Sequence, residues 1–138
     1  MSQENVQIVL GMYEAFNETG DREAAYAVLD PDIELEIAWR TGRDSSDFRV
    51  LRGIDEVRSV LEEILAPFET ARYQIHEHRD AGNDVVVILE LLVRPKGSDA
   101  EISPGRFGYV HTLRDGKIVR VQDFPDPAEA LEAAGLRE

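Results

Sequence analysis

Asp123 and His111 are the side chains of this sequence best suited to moving a proton. An aspartate walled in by Phe and Val has its pKa raised, because burial penalises the charged form. Such a carboxylate can take a proton from an acidic carbon near neutral pH. Imidazole titrates in the same range, so His111 is suited to shuttle that proton or to orient the reacting group. The two residues lie on stretches 106–114 and 117–124, joined by Arg114-Asp115-Gly116-Lys117, a strong β-hairpin signal. Whether they share a site depends on register, because a slip of one residue turns every side chain to the other face. A two-residue type I′ turn at Asp115-Gly116 pairs Arg114 with Lys117 and leaves His111 and Asp123 on opposite faces. A three-residue turn with a bulged Gly116 pairs Leu113 with Lys117 instead. It gathers Phe107, Tyr109, His111, Leu113, Val119, Val121 and Asp123 on one face. The other face then carries Gly108, Val110, Thr112, Ile118, Arg120, Gln122 and Phe124. The bulged register is preferred, because it sets a few polar groups among large apolar ones, as a small-molecule pocket requires.

Each candidate has a plainer alternative. The favoured alternatives are that Asp123 caps the helix that opens near Asp126, and that His111 sits in the core or an interface with a backbone carbonyl as partner. Tyr13, Tyr26, Trp39 and Tyr109 each offer an apolar body and a polar tip. Core packing is the preferred reading for Tyr26 and Trp39. The candidate substrate-binding set is Tyr13, Phe16, Trp39, Phe107, Tyr109 and Val121. His76 and His78 are spaced to share a strand face, but no third ligand accompanies them, so no metal site is expected. Glu90 interrupts the apolar run Val85–Val93; it must face a pocket or pair across strands, for example with Arg106. The arginines of 40–52 could meet an acidic substrate or balance local charge.

The elements that position these residues follow from periodicity. Residues 4–18 place Val6, Val9, Leu10, Tyr13, Phe16 and Asn17 on one helical face. Gly20 stops that helix, and Asp21 caps a shorter one through Leu29. Asp30-Pro31-Asp32 reads as a turn. Ile33, Leu35, Ile37 and Trp39 alternate with polar or small residues, a strand. Residues 40–52 read as a loop with a short strand at Phe48–Leu51. A third helix follows Gly53 and ends at Pro67. Strands are expected at 72–79, 85–94, 106–114 and 117–124. Asp126-Pro127 opens a last helix that Gly135 ends. Helices on one side of a mostly antiparallel sheet make an α+β class.

Composition narrows the function. The 138 residues make one domain, 1–138, and the formal net charge is −13. So acidic a surface repels phosphate backbones and anionic lipid, so neither nucleic acid nor membrane is an expected partner. There is no cysteine, which excludes thiolate nucleophiles and disulfides and fits a cytoplasmic location. Phosphate-binding glycine loops, Gly-x-Ser-x-Gly and His-Glu-x-x-His do not occur.

Several phrases together resemble the SnoaL-like family of the nuclear transport factor 2-like superfamily. They are Asp30-Pro31-Asp32, Arg52-Gly53-Ile54-Asp55-Glu56-Val57, Leu113-Arg114-Asp115-Gly116-Lys117-Ile118-Val119-Arg120, and the tail from Asp126 to Leu136. The resemblance implies an α+β cone, a curled mixed sheet with three helices on its concave face and a short C-terminal helix. It implies a pocket between them and a homodimer through the sheet's outer face. Relatives include polyketide cyclases, isomerases, dehydratases, hydrolases and plain binding proteins, most of the enzymes working without cofactor. The implied partner is therefore a small apolar organic molecule, with acid–base chemistry or binding alone as its fate. In the cyclases a catalytic aspartate follows the Asp-Gly-Lys-Ile phrase, and Asp123 falls at the matching position. This chain has Val121-Gln122 where they tend to have His-Trp. Their supporting histidine falls near Tyr109, so His111 is its displaced counterpart or the partner is missing.

Overall fold

A computed structural model describes residues 2–18, 22–38 and 48–136. Trp39 and most of the arginine-rich 40–52 segment lie outside the described residues. The element order is α1 (Ser2–Glu18), α2 (Glu23–Tyr26), β1 (Leu29–Ala38), β2 (Phe48–Arg52), α3 (Ile54–Leu65), β3 (Phe68–Ala81), β4 (Asp84–Pro95), β5 (Phe107–Arg114), β6 (Lys117–Phe124) and α4 (Pro127–Ala133). The strands form one six-stranded sheet in the order β2-β1-β6-β5-β4-β3. Among the described strands, β1 and β6 are the one parallel pair. No helix among the described residues is long and apolar enough to cross a membrane.

The two faces of the sheet serve different helices. Val85, Val87 and Leu89 of β4 point to a core shared with Val9 and Tyr13 of α1, Tyr26 of α2 and Val57 of α3. Val86 and Ile88 point the other way and, with Val110, pack under Ala130 and Leu131 of α4. The continuous apolar run of β4 is thus explained by cover on both sides. Asp126 caps α4 by accepting a hydrogen bond from the Ala128 N–H at 2.9 Å, with Pro127 in the first turn.

Two local expectations are corrected. Helix α2 ends at Tyr26, and Leu29 already belongs to β1. Asp30-Pro31-Asp32 is a kink inside that strand, where the Asp30 carboxylate accepts from the Asp32 N–H at 2.9 Å and the β1–β6 ladder breaks between Leu29 and Glu34. The hairpin register matches neither alternative. Arg114 pairs with Lys117 across a turn whose Asp115 and Gly116 both have positive φ, as type I′ requires. The ladder then shifts, Leu113 opposite Ile118 but Thr112 opposite Arg120, leaving Val119 as the extra residue of a bulge. Beyond it, His111 faces Val121 and Tyr109 faces Asp123. The bulge sits on β6 rather than at Gly116, but His111 and Asp123 still share a face. Ile118, expected on the opposite face, joins Leu113 in the main core.

Candidate functional site

His111 is fully buried, and its two ring nitrogens have different partners. Nδ1 lies 3.0 Å from the Val85 carbonyl, which can only accept, so Nδ1 carries the hydrogen. Nε2 is then an acceptor, and the Tyr13 hydroxyl donates to it at 2.6 Å. Burial drives the His111 pKa down to about 4, so the ring is neutral at ordinary pH. Burial also raises the Tyr13 pKa well above its usual value, with Tyr73 and the Asp123 carboxylate adding to the effect. This pair ties α1 to β5 across the core. Asp123 is 6% exposed, opposite Tyr109 on the next strand.

Around this pair the rings form a continuous cluster. Tyr13 lies edge-on to His111 and Tyr73, with centroids 5.6 and 5.1 Å apart. Phe16 stacks at a tilt on Tyr73, and Tyr109 contacts His111, Tyr73 and Phe107. Tyr73 is fixed by an unusual clamp. It sits on the edge strand β3, and the Asn17 side chain takes the place of a missing neighbour. The Asn17 amide donates to the Tyr73 carbonyl at 2.8 Å and accepts from its N–H at 2.7 Å. Backbone groups that would otherwise lack a partner are thereby satisfied.

Next to the cluster lies a cavity of about 470 Å³. Its walls are Leu61, Ile64 and Leu65 of α3, Ile37 of β1, Pro67, Phe68 and Tyr73, Leu91 and Val93 of β4, Phe107 and Tyr109 of β5, and Ile102, Ser103 and Pro104 of the β4–β5 connection. Among the described residues no charged side chain lines it, and the side-chain polar groups are the hydroxyls of Tyr73, Ser103 and Tyr109. The rim is held from behind the sheet. Ile102 bridges to Val93, Arg72 pairs with both oxygens of Glu101 at 3.0 and 3.1 Å, and the Ser103 hydroxyl donates to Glu90 at 2.8 Å. His76 Nε2 lies 2.5 Å from the other Glu90 oxygen. The Ser103 and His76 hydrogen bonds, in that order, hold the Glu90 carboxyl below its usual pKa.

Of the residues singled out from the sequence, Phe107 and Tyr109 line the cavity. Tyr13, His111, Val121 and Asp123 lie on the same face of the fold, outside the set of lining residues, and Phe16 reaches the site through Tyr73. Glu90 pairs structurally, as one alternative required, but with His76 and Ser103; Arg106 acts on it only through its charge. His76 and His78 do not share a face. A bulge between Ile75 and Glu77 turns His76 toward Glu90, while His78 pairs with Val87. No group of potential metal ligands occurs among the described residues. The remaining wall residues, Tyr73 and the α3 side chains among them, were not singled out from the sequence. The signal for Tyr73 was its alternation with Arg72 and Gln74; that for α3 was an apolar face read as core alone.

The model of the SnoaL-like domain matches residues 9–121, most of the chain. The chain belongs to the SnoaL-like family. Asp123 lies two positions beyond the matched segment. No curated protein matches the chain. Among solved structures, an NTF2-like protein of unknown function from Burkholderia pseudomallei shares 23% identity at a TM-score of 0.73, over 94% of this chain and 95% of that one. A putative SnoaL-like polyketide cyclase from Jannaschia shares 17% at 0.71, over 99% and 95%. A protein with a ketosteroid isomerase-like fold from Catenulispora acidiphila, in complex with trimethylamine, shares 17% at 0.68, over 95% and 94%. At these identities the likeness is one of fold.

Proposed function

We propose that this SnoaL-like protein binds a small, largely apolar organic molecule in the cavity between α3, the sheet and the β4–β5 connection. The observation that carries this reading is an unfilled, apolar 470 Å³ space walled by rings and aliphatic side chains, with hydroxyls as its side-chain polar groups. Cavities of this size and lining suit small ligands. The trimethylamine complex of a fold relative supports use of this fold for small organic molecules. Pairing of two copies through the outer face of the sheet and a cytoplasmic setting belong to the same reading.

The test is titration with N-phenyl-1-naphthylamine, an uncharged apolar fluorophore, against the parent protein and Leu61→Trp/Ile64→Trp. Both substituted positions are half-buried on α3, so larger side chains can enter the cavity without replacing the central core. Saturable fluorescence enhancement is expected for the parent, with affinity at least about tenfold weaker in the double variant, the equivalent of about 1.4 kcal/mol. Equal binding by both proteins would place the probe elsewhere.

Acid–base catalysis is a second reading, favoured by the buried Asp123 carboxylate opposite Tyr109. In it Asp123 is the base, Tyr109 orients the substrate, and the neutral His111 positions Tyr13 rather than shuttling a proton. For any substrate found by screening, Asp123→Asn is expected to abolish turnover and spare binding of the neutral fluorophore. Unchanged turnover in Asp123→Asn would leave binding as the whole function.

A further inference from the structure

Part of the cavity wall is aromatic. Phe68, Tyr73, Phe107 and Tyr109 all line it. Phe107 meets Tyr109 at 80° with centroids 5.0 Å apart, and Tyr73 meets Tyr109 at 65° and 6.4 Å. Rings set at steep angles turn their faces in different directions, and each face carries the negative part of the ring quadrupole. A cation beside these rings is attracted by each face that it meets.

No lysine, arginine or histidine is among the described residues that line the cavity. His111, in ring contact with Tyr109, is neutral because burial lowers its pKa to about 4. The nearly buried Asp123 carboxylate sits opposite Tyr109. The whole chain carries −13, a field that concentrates cations and repels anions at a low-dielectric opening.

The lining also selects among cations. A primary ammonium or a guanidinium entering this space gives up several hydrogen bonds to water, and the described lining side chains return three hydroxyls. A fully alkylated ammonium has no N–H to satisfy. The remaining wall, including Ile37, Leu61, Ile64 and Leu91, is aliphatic and suits an apolar body.

We infer that the preferred ligand of the cavity is a hydrophobic alkylated ammonium, with its charged head beside the rings of Tyr73, Phe107 and Tyr109 and its apolar body against α3. This inference rests on the cavity being the ligand site.

The test is displacement of bound N-phenyl-1-naphthylamine by three compounds of nearly equal shape. Benzyltrimethylammonium is cationic, neopentylbenzene is its uncharged carbon isostere, and benzylsulfonate is anionic. The cation is expected to displace the fluorophore at concentrations at least about tenfold below those of the isostere, and the sulfonate not at all. Tyr109→Leu is expected to reduce the advantage of the cation over the isostere. An isostere that competes as well as the cation overturns the ammonium assignment and leaves the cavity as an apolar site. Failure of the fluorophore itself to bind overturns the cavity reading, and the ammonium assignment with it.

Discussion

Acidification from pH 7 to pH 4 is expected to cost the folded state about 3 kcal/mol through His111 alone. The free imidazole titrates near 6.5 and the buried one at about 4. A difference of this size, at about 1.4 kcal/mol per unit, gives the figure. The sign follows from proton counting. Between these two values the unfolded chain binds a proton at His111 and the folded chain does not, so falling pH favours unfolding. The contribution is complete above pH 6.5 and lost progressively as the pH falls to 4. Burial is the main cause, and the Val85 carbonyl opposes it only in part by favouring the charged ring. Urea denaturation at several pH values measures the slope, with His111→Gln as the control. The variant is expected to be less stable at pH 7, because the Tyr13 hydroxyl and the Val85 carbonyl lose a well-placed partner. It should also lose markedly less stability than the parent between pH 6.5 and 4. Parallel profiles for the two proteins would show that His111 is not held neutral.

Gly108→Ala is expected to destabilise the fold by about 1–3 kcal/mol, the range for overpacking a close-fitting core. Gly108 is on β5, facing α4. A Cβ there would stand 2.5 Å from the Ala130 Cβ and 3.2 Å from the Ile88 Cδ1. The Ala130 atom is fixed to the helix backbone and cannot swing away, so α4 itself must move. The cost is steric, because Gly108 is absent from the positive-φ glycines of this fold. A second substitution, Ala130→Gly, removes the opposing methyl and should recover part of the loss in the double variant, even though glycine costs about 1 kcal/mol in a helix interior. Chemical denaturation of the parent, the two single variants and the double variant measures the coupling. Gly108→Ala as stable as the parent would mean that α4 does not seat against β5. The same geometry removes Gly108 from any test of the cavity, since it lies on the opposite side of the sheet.

The sequence was most legible where a single residue type is demanded by backbone geometry. Gly53 with φ 87° before α3, Asp115-Gly116 in the hairpin and Asp126-Pro127 at α4 each mark a boundary the structure keeps. It was least legible where pairing depends on a residue with no special chemistry. Val119 is β-branched like its neighbours, and nothing in its type marks it as the residue that slips out of the ladder. That slip places Ile118 in the core and aligns Tyr109 with Asp123. His76 presents the same difficulty on β3, where even spacing predicted a face shared with His78 and a bulge separates them. Phe107 and Tyr109, which line the cavity, stood out by type within apolar strands, as did His111 and Asp123, which lie outside its lining. The cavity was less legible. Leu61, Ile64 and Leu65 have the spacing of ordinary core residues, and only the fold shows that they face unfilled space. The Asn17 clamp joins residues 56 positions apart and has no local signature.

The most direct test of the account is a methyl-labelled NMR spectrum recorded with and without N-phenyl-1-naphthylamine. The account predicts that the shifted methyls belong to Ile37, Leu61, Ile64, Leu91 and Val93, which line the cavity. Those of Val86, Ile88, Val110 and Leu131, under α4 on the other face, should stay in place. Shifts confined to the α4 face, or saturable binding with no shift in the cavity methyls, would contradict it.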